Sequence, residues 1–287
     1  MALNEAGLKN TNIYEGGDIE SVATAVSDPN GPDIVICDVT ENGDEACQVF
    51  SAIRHNQLGT NPFICIIAVA WSPRQPLVSK VVNSGADLLV AAPISPALIL
   101  DRISSLVHSR KPFVVTTDYV GPDRRLSEDC ERGSDIPLID VPNSLRDKAL
   151  GQFDSNRIRE EIDATRANIN GQKIERQAYQ ITYLADLITH EFSKDPESID
   201  RRRLKNLETL VNDLKMRAFT AGARELEELC IPLRQVVRSL LESEDGYKKR
   251  DIDLLGQLSL AVRAAVRPSG ETKAVAHDIS QTVIGAA

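Results

Sequence analysis

Hydrophobic residues follow two different patterns along the chain, and the change between them lies near residue 110. Before that point, short apolar runs rich in valine and isoleucine alternate with stretches that have helical spacing. The predicted strands are residues 12–16, 33–39, 63–70 and 87–92, and the predicted helices are residues 19–26, 44–56, 75–85 and 95–110. The last three strands are apolar almost throughout, which is typical of parallel strands covered by helices on both faces. The pattern therefore predicts a doubly wound α/β domain.

Beyond residue 110 the pattern changes twice. A β-like run, FVVTT at 113–117, comes before a Gly-Pro pair that predicts a turn. Residues 127–145 are polar and carry glycine and proline, as linkers do. From about residue 144 the spacing is helical, and four predicted helices with short connections favour an antiparallel bundle.

The helical half has predicted boundaries of its own. The four predicted helices are residues 144–192 with Gly171 as a candidate break, residues 199–220, a segment from Pro232 to Glu244, and a segment from Asp251 or Asp253 to Arg267. The predicted domains are an α/β domain at 1–111, an extra strand and polar linker at 112–143, a helical bundle at 144–267 and a flexible tail at 268–287. Small, polar residues dominate that tail, so we expect it to fray.

Charge and composition exclude several classes of partner. The net charge is -9 and neither half of the chain is basic, so nucleic-acid binding is not expected. The longest apolar run, residues 63–71, is far too short to span a bilayer, so no membrane partner is expected either. The five cysteines are scattered and show no CxxC spacing. Buried free thiols in a reducing cytoplasm explain this distribution better than disulfides or zinc.

Two of the predicted strands end in a characteristic way. The run DIVICDV at 33–39 closes on Asp38, and the run LLVAA follows Gly85-Ala86 and stops before Pro93. Over residues 5–110 the chain resembles the receiver domain of bacterial two-component response regulators. The resemblance implies a flavodoxin-like fold with its functional end at the carboxyl ends of the strands. It also makes Asp38 the counterpart of the phosphoacceptor aspartate.

The chain departs from the receiver pattern where the chemistry should be. Alignment on Gly85-Ala86 puts Ala70 at the position of a threonine or serine and Ala92 at the position of a lysine, with Pro93 on the proline that follows. An active receiver holds Mg²⁺ on carboxylates, and its lysine and hydroxyl bind the phosphoryl oxygens. Alanine does neither. No cofactor is expected, and Mg²⁺ would be needed only if Asp38 is phosphorylated.

The first strand of a receiver, with its acidic pair, has no counterpart in this sequence. An empty central slot would leave two unpaired sheet edges, so another segment should fill it. Residues 113–118 are one candidate, and Asp118 would then lie near Asp38 as an acidic partner. Alternatively, this run pairs elsewhere, or the chain starts after the first strand. Asp38 itself has three interpretations: a phosphoacceptor, an inherited carboxylate in a pseudo-receiver, or the cap of a loop.

The segment NDLKMRAFTAGARELEELC at 212–230 resembles two helices of histidine-phosphotransfer domains. Leu214, Lys215 and the Gly222-Ala223 pair occupy family positions, and Asn212 replaces the reactive histidine. An amide cannot be phosphorylated as an imidazole can, so such a site would be inactive. The alternative is an ordinary bundle helix with Leu214 and Ala218 in its core.

A second histidine-centred stretch is THEFSKDP at 189–196. It resembles the histidine box of sensor-kinase dimerisation helices, which makes His190 a candidate phosphoacceptor. The alternative is an exposed histidine in the last turn of a helix, where the helix dipole favours it. No glycine-rich ATP lid is present in the sequence, which excludes a complete kinase.

These patterns predict a non-catalytic adaptor that binds a kinase, a phosphotransfer protein or a response regulator, and the bundle could also form a homodimer. The predicted docking surface on the α/β domain includes Leu77, Val81, Val82, Leu98 and Ile99. One alternative is a working regulator, phosphorylated at Asp38, with the bundle as its output or phosphotransfer module. Another is a structural dimerisation scaffold. No enzyme activity is expected.

Overall fold

The computed structural model describes residues 18–28, 30–71, 73–116, 118–125, 137–196, 199–243 and 246–266. The chain forms two compact units that divide between Arg166 and Ala167. The predicted strand at 12–16 and the predicted tail at 268–287 lie outside the described residues.

The first unit contains a parallel sheet of three strands within its described residues. The strands are β1 (Ile34–Asp38), β2 (Cys65–Trp71) and β3 (Leu88–Ala92), in the order β1-β2-β3. The register places Asp38 beside Val69 and Ala92 beside Trp71. The three apolar runs at 33–39, 63–70 and 87–92 are thus confirmed as strands, and the carboxyl ends of all three meet at one edge of the sheet.

Helices cover both faces of this sheet. Those of the first half are α1 (Ile19–Ser27), α2 (Gly43–Arg54), α3 (Gln75–Asn83) and α4 (Pro96–His108). Ser95 caps α4 by accepting a hydrogen bond from the Leu98 amide, with Pro96 as the first helical residue. Core residues on one face include Phe50, Ile53, Ile66, Ala68 and Val81. Core residues on the other face include Ile67, Val90, Ile103, Leu106 and Leu145.

The segment that starts at Phe113 does not fill an empty slot in the sheet, so this prediction is wrong. Strand β4 (Phe113–Val115) pairs antiparallel with β5 (Val120–Pro122) in a separate hairpin. The Thr116 amide donates to the Tyr119 carbonyl, so the chain reverses after three strand residues and cannot run along the sheet. The predicted Gly-Pro turn is also wrong, because both residues belong to β5.

Part of the predicted linker packs against the α/β unit. Ile139 forms a bridge with Phe113 and is buried. Asn143 is also buried: its side-chain amide donates to the Leu106 carbonyl, and its side-chain oxygen caps the short helix α5 (Ser144–Ala149). Residues 137–149 are therefore part of this unit. The polar stretch at 126–136 lies outside the described residues.

Four helices supply the hydrophobic core of the second unit. They are α6 (Ser155–Lys194), α7 (Arg201–Thr220), α8 (Arg224–Glu242) and α9 (Lys249–Val266), and the division between the units falls within α6. Their core is largely leucine and isoleucine and includes Ile181, Ile188, Leu204, Leu207, Leu229, Leu233, Leu255 and Leu258. The predicted helical half is confirmed.

Two predicted helix boundaries are wrong. Helix α6 continues through Gly171, and the break lies instead at residues 150–154, where Gly151 has a φ of 69°. Pro232 lies inside α8 and is buried in the core. Proline inside a helix costs about 3 kcal/mol, and here burial among leucines offsets that cost. Within the described residues, no helix combines the length and apolarity that a membrane span requires.

Candidate functional site

Asp38 ends β1 at the carboxyl edge of the sheet, and its side chain is exposed. One carboxylate oxygen, Oδ1, accepts hydrogen bonds from both the amide and the hydroxyl of Thr40, with the amide nitrogen at 2.9 Å. The Thr40 hydroxyl oxygen in turn accepts a bond of 3.1 Å from the Trp71 amide. Asp38 therefore caps the loop after β1 and ties it to the end of β2.

The neighbouring strand ends supply methyl groups. Ala70 is fully buried in the core that faces α1–α3, and Ala92 lies beside Trp71 at the end of β3. Pro93 follows and is exposed. Ala70 lies on the strand next to β1, one residue beyond Val69, which is the register partner of Asp38, whereas Ala92 lies two strands away from Asp38. Neither alanine can donate a hydrogen bond or carry a charge, so neither could bind a phosphoryl oxygen.

The donor set at this edge does not fit a Mg²⁺ ion. Magnesium needs octahedral oxygen coordination and is held in proteins by one or two carboxylates together with phosphate oxygens and water. Asp38 is a single carboxylate, and its Oδ1 already accepts two local hydrogen bonds. Among the described residues, no cluster of three or more histidine, cysteine, aspartate or glutamate side chains could hold a metal ion.

Asp118 is not brought near Asp38. It is exposed in the turn between β4 and β5. The Phe113 ring of that hairpin packs edge-on against Phe63, with centroids 6.2 Å apart, and Phe63 precedes β2. The hairpin thus lies at the amino ends of the strands, whereas Asp38 lies at the carboxyl end.

A buried ionic cluster occupies the amino end of the sheet, and nothing in the sequence pattern had singled it out. Asp87 accepts a 2.8 Å bond from Arg54 Nη2 and another of 2.8 Å from Arg110 Nε. Although burial alone would raise the pKa of Asp87, the guanidinium groups of Arg110 and Arg54 hold it below its usual value. Burial lowers the pKa of Arg54 to about 10, which leaves it charged at neutral pH.

Backbone carbonyl groups accept the remaining hydrogen bonds of the two guanidinium groups, and an aromatic ring packs against both. Arg54 donates to the carbonyls of Pro62, Ile64 and Gly85, and Arg110 donates to the carbonyl of Phe63. Both guanidinium carbons lie 5.1 Å from the centroid of the Phe113 ring. With all its groups paired and buried, this cluster fastens the hairpin to the sheet; it is not an open site.

The candidate phosphotransfer residues lie in an ordinary bundle helix. Asn212 is half-buried on α7, while Leu214 and Ala218 are buried in the core. Gly222 has a φ of 68° just after α7, and a Cβ there would meet nothing within 4 Å. A left-handed residue at the end of a helix explains this glycine, and close helix packing does not.

His190 is exposed on α6, which ends four residues later at Lys194. Its neighbour Glu191 forms an ion pair with Arg203 of α7. The functional roles of His190 and Asn212 stay predictions. The surface predicted for docking on the α/β unit is largely used for packing, because Val81 is buried and Leu77, Leu98 and Ile99 contact the two cores.

The described cysteines are free and have the character of structural thiols. Cys65 and Cys230 are buried, and burial raises the pKa of the first to about 11 and that of the second to about 12. Neither would form a thiolate at neutral pH.

No family model, no curated protein and no solved structure matches this chain.

Proposed function

We propose that this chain is a non-catalytic signalling adaptor that acts by protein–protein binding in a bacterial two-component pathway. In this proposal the first unit is a pseudo-receiver with a flavodoxin-like wound sheet, and the helical unit derives from a phosphotransfer-like bundle. The observation that carries it is the carboxyl end of the sheet, where Asp38 ends β1, Ala70 lies one residue before the end of β2 and Ala92 ends β3.

The physical argument concerns a phosphoryl group on Asp38. Transfer to a carboxylate brings several negative charges together, and catalysis requires cations and hydrogen-bond donors at that point. The two alanines provide none, and Thr40 already occupies one oxygen of the carboxylate. A domain that keeps this fold but lacks that chemistry still has a surface to which other proteins can bind. We therefore infer that the domain acts by protein–protein binding.

The proposed partners are a sensor kinase, a phosphotransfer protein or a response regulator, met in the bacterial cytoplasm. On α7, Asn212, Met216 and Phe219 recur at helical spacing, and the last two are 62 % and 66 % exposed. Apolar side chains this exposed are enriched at sites that bind proteins. We take this α7 stripe as the contact for the signalling partner.

A binding panel tests the proposal. The purified full chain is titrated by calorimetry against the kinases, phosphotransfer proteins and response regulators encoded with it. We expect one of them to bind with a micromolar dissociation constant and the variant Phe219→Ser to weaken that binding about tenfold. Leu138→Ser is the matched control, since Leu138 is exposed elsewhere, on the first unit. If no panel member binds below about 100 µM, the adaptor proposal fails.

A working regulator is the second candidate, because Asp38 is exposed at the carboxyl end of β1, where an incoming phosphoryl donor could reach it. A dimerisation scaffold is the third. Uptake of a phosphoryl group by Asp38 separates the second candidate from the adaptor.

A further inference from the structure

A second exposed surface lies on the helical unit, between α6 and α9. Tyr179 and Tyr183 of α6 are 60 % and 56 % exposed, and Leu260 of α9 is 56 % exposed. The Arg263 guanidinium carbon lies 5.0 Å from the centroid of the Tyr179 ring. These four residues form what we call the α6–α9 surface. Tyrosine and arginine are among the residues that contribute most to protein interfaces.

The two helices of this surface run in opposite directions. The Thr182 hydroxyl of α6 donates to the Ser259 carbonyl of α9, 3.3 Å away, and Arg263 lies over Tyr179. From Thr182 back to Tyr179 on α6, the neighbouring residue on α9 therefore advances from Ser259 to Arg263. By this pairing, residue 186 of α6 lies level with about residue 256 of α9.

The charges of this surface are separated along the helix axes. Arg176 and Arg263 lie at one end, whereas the exposed carboxylates Asp186 and Asp253 lie at the other. Ten residues separate the arginine from the aspartate on each helix, which corresponds to about 15 Å of helical rise. The tyrosines and Leu260 lie between the two ends. These four charges thus place two cations on one side of the apolar centre and two carboxylates on the other; Glu175 adjoins Arg176, and the exposed Lys249 and Arg250 lie one turn before Asp253.

We propose that the α6–α9 surface is the interface between two copies of this chain. A two-fold axis that lies in the interface, perpendicular to both helices, would place Arg263 of one copy against Asp253 of the other and Arg176 against Asp186, and it would bury both apolar centres. Two-fold dimers require such a self-complementary patch, and they are the commonest symmetric assemblies. An unrelated partner would need to match only one charge pattern, whereas this surface contains its own complement.

The first measurement is how the oligomeric state of the full chain depends on protein concentration. Sedimentation velocity of the full chain between about 1 and 100 µM should show a species of twice the chain mass of 31.5 kDa. Arg263→Glu and Asp253→Arg should each weaken the dimer about tenfold or more, since each creates two like-charge contacts per dimer. Lys205→Glu is the matched control, as it reverses an exposed charge on α7 and should leave the dimer unchanged.

Mixing the two charge-reversed variants gives the decisive result. In a two-fold heterodimer, the two substituted side chains face each other across one contact and the two native ones across the other. Equal amounts of Arg263→Glu and Asp253→Arg should therefore recover the dimer affinity that each variant loses alone. Circular dichroism of each variant confirms that its helices are intact.

Three results would overturn the proposal: a monomer throughout this range, a dimer that ignores both charge reversals, or a mixture that fails to recover the dimer. With a monomer, a chain that stops at Val266 shows whether the segment after it occupies the surface instead. The dimer and the signalling contact are separable, because Phe219→Ser tests the α7 stripe and should leave the dimer intact.

Discussion

Asp87 and Arg110 form a bidentate ion pair inside the protein: Arg110 Nε lies 2.8 Å from Asp87 Oδ1, and Arg110 Nη2 lies 3.2 Å from Asp87 Oδ2. Both side chains are almost fully buried. Asp87 directly precedes β3 and Arg110 follows α4, so the pair joins the chain that enters a strand to the chain that leaves the α/β layers. Arg54 completes the cluster from α2.

The charges in this cluster are matched to fixed partners. Asp87 also accepts the Ile66 amide at 2.8 Å, so its carboxylate has donors from three different segments. A buried pair of this kind adds little net stability compared with a hydrophobic replacement, but removing one partner leaves the other charge unpaired. The cluster therefore fixes which segments meet at this end of the sheet.

Removal of the Asp87 charge is our first prediction. Asp87→Asn should lower the free energy of unfolding by about 3–5 kcal/mol, because two buried guanidinium groups lose their counter-charge. Urea denaturation followed by circular dichroism measures it. Asp44→Asn breaks the exposed Lys80 pair and should cost less than about 1 kcal/mol. Similar losses in both variants would contradict the role assigned to the buried cluster.

The pKa of Asp87 gives a prediction for acid stability. Its folded-state pKa lies below the usual value of 3.8, so the unfolded chain binds the proton more readily. The stabilisation is fully present above about pH 4 and is lost as the pH falls through the folded-state pKa. We expect the urea midpoint to fall as the pH is lowered below about 4, and carboxyl NMR of the native chain to show Asp87 still ionised at pH 3.8. A resonance that titrates at or above pH 3.8 would contradict this.

The spacing of hydrophobic residues along the chain predicts most of the architecture. The three buried strands and the helical half follow from apolar spacing alone, because a strand covered on both faces and an amphipathic helix leave distinct patterns. The hairpin could not be predicted in this way. Phe113 and Val114 have β propensity, but their partners are set by a turn at 116–119 and by the ring's position between Arg54 and Arg110.

At the candidate site, the sequence predicts where Asp38 lies in its strand, but it does not predict the hydrogen-bond partners of its side chain. Asp38 was expected at the carboxyl end of a strand and lies there, but its bonds to Thr40 depend on the geometry of the following loop. The Arg54–Asp87–Arg110 cluster was missed because its members are distant in sequence. One signal was present: an aspartate directly before an apolar strand, between Gly85-Ala86 and LLVAA, is costly to bury unless it is paired.

Gly85 provides a backbone test of the same region. Its φ is 83°, and a Cβ there would lie 2.5 Å from the Val120 carbonyl oxygen and 2.8 Å from Arg54 Cγ. Gly85→Ala should therefore destabilise the chain by more than about 1 kcal/mol, through both strain and the clash with the hairpin. Gly171→Ala is the control: that residue lies within α6 in open space, so alanine should stabilise by about 0.5–1 kcal/mol. Thermal unfolding measures both, and a neutral Gly85→Ala would show that the hairpin does not pack closely on this turn.

Phosphoryl chemistry at Asp38 is the last prediction. Titration with beryllofluoride or acetyl phosphate and Mg²⁺ should leave the amide NMR spectrum around β1 unchanged, because Ala70 and Ala92 offer nothing to hold the phosphoryl oxygens. Trp71 is the sole tryptophan, and its amide is bonded to Thr40, so its fluorescence reports on the same loop. Asp38→Asn is the control. Shifts around Asp38 that disappear in this variant would establish a working regulator and overturn the pseudo-receiver proposal, whatever the binding panel shows.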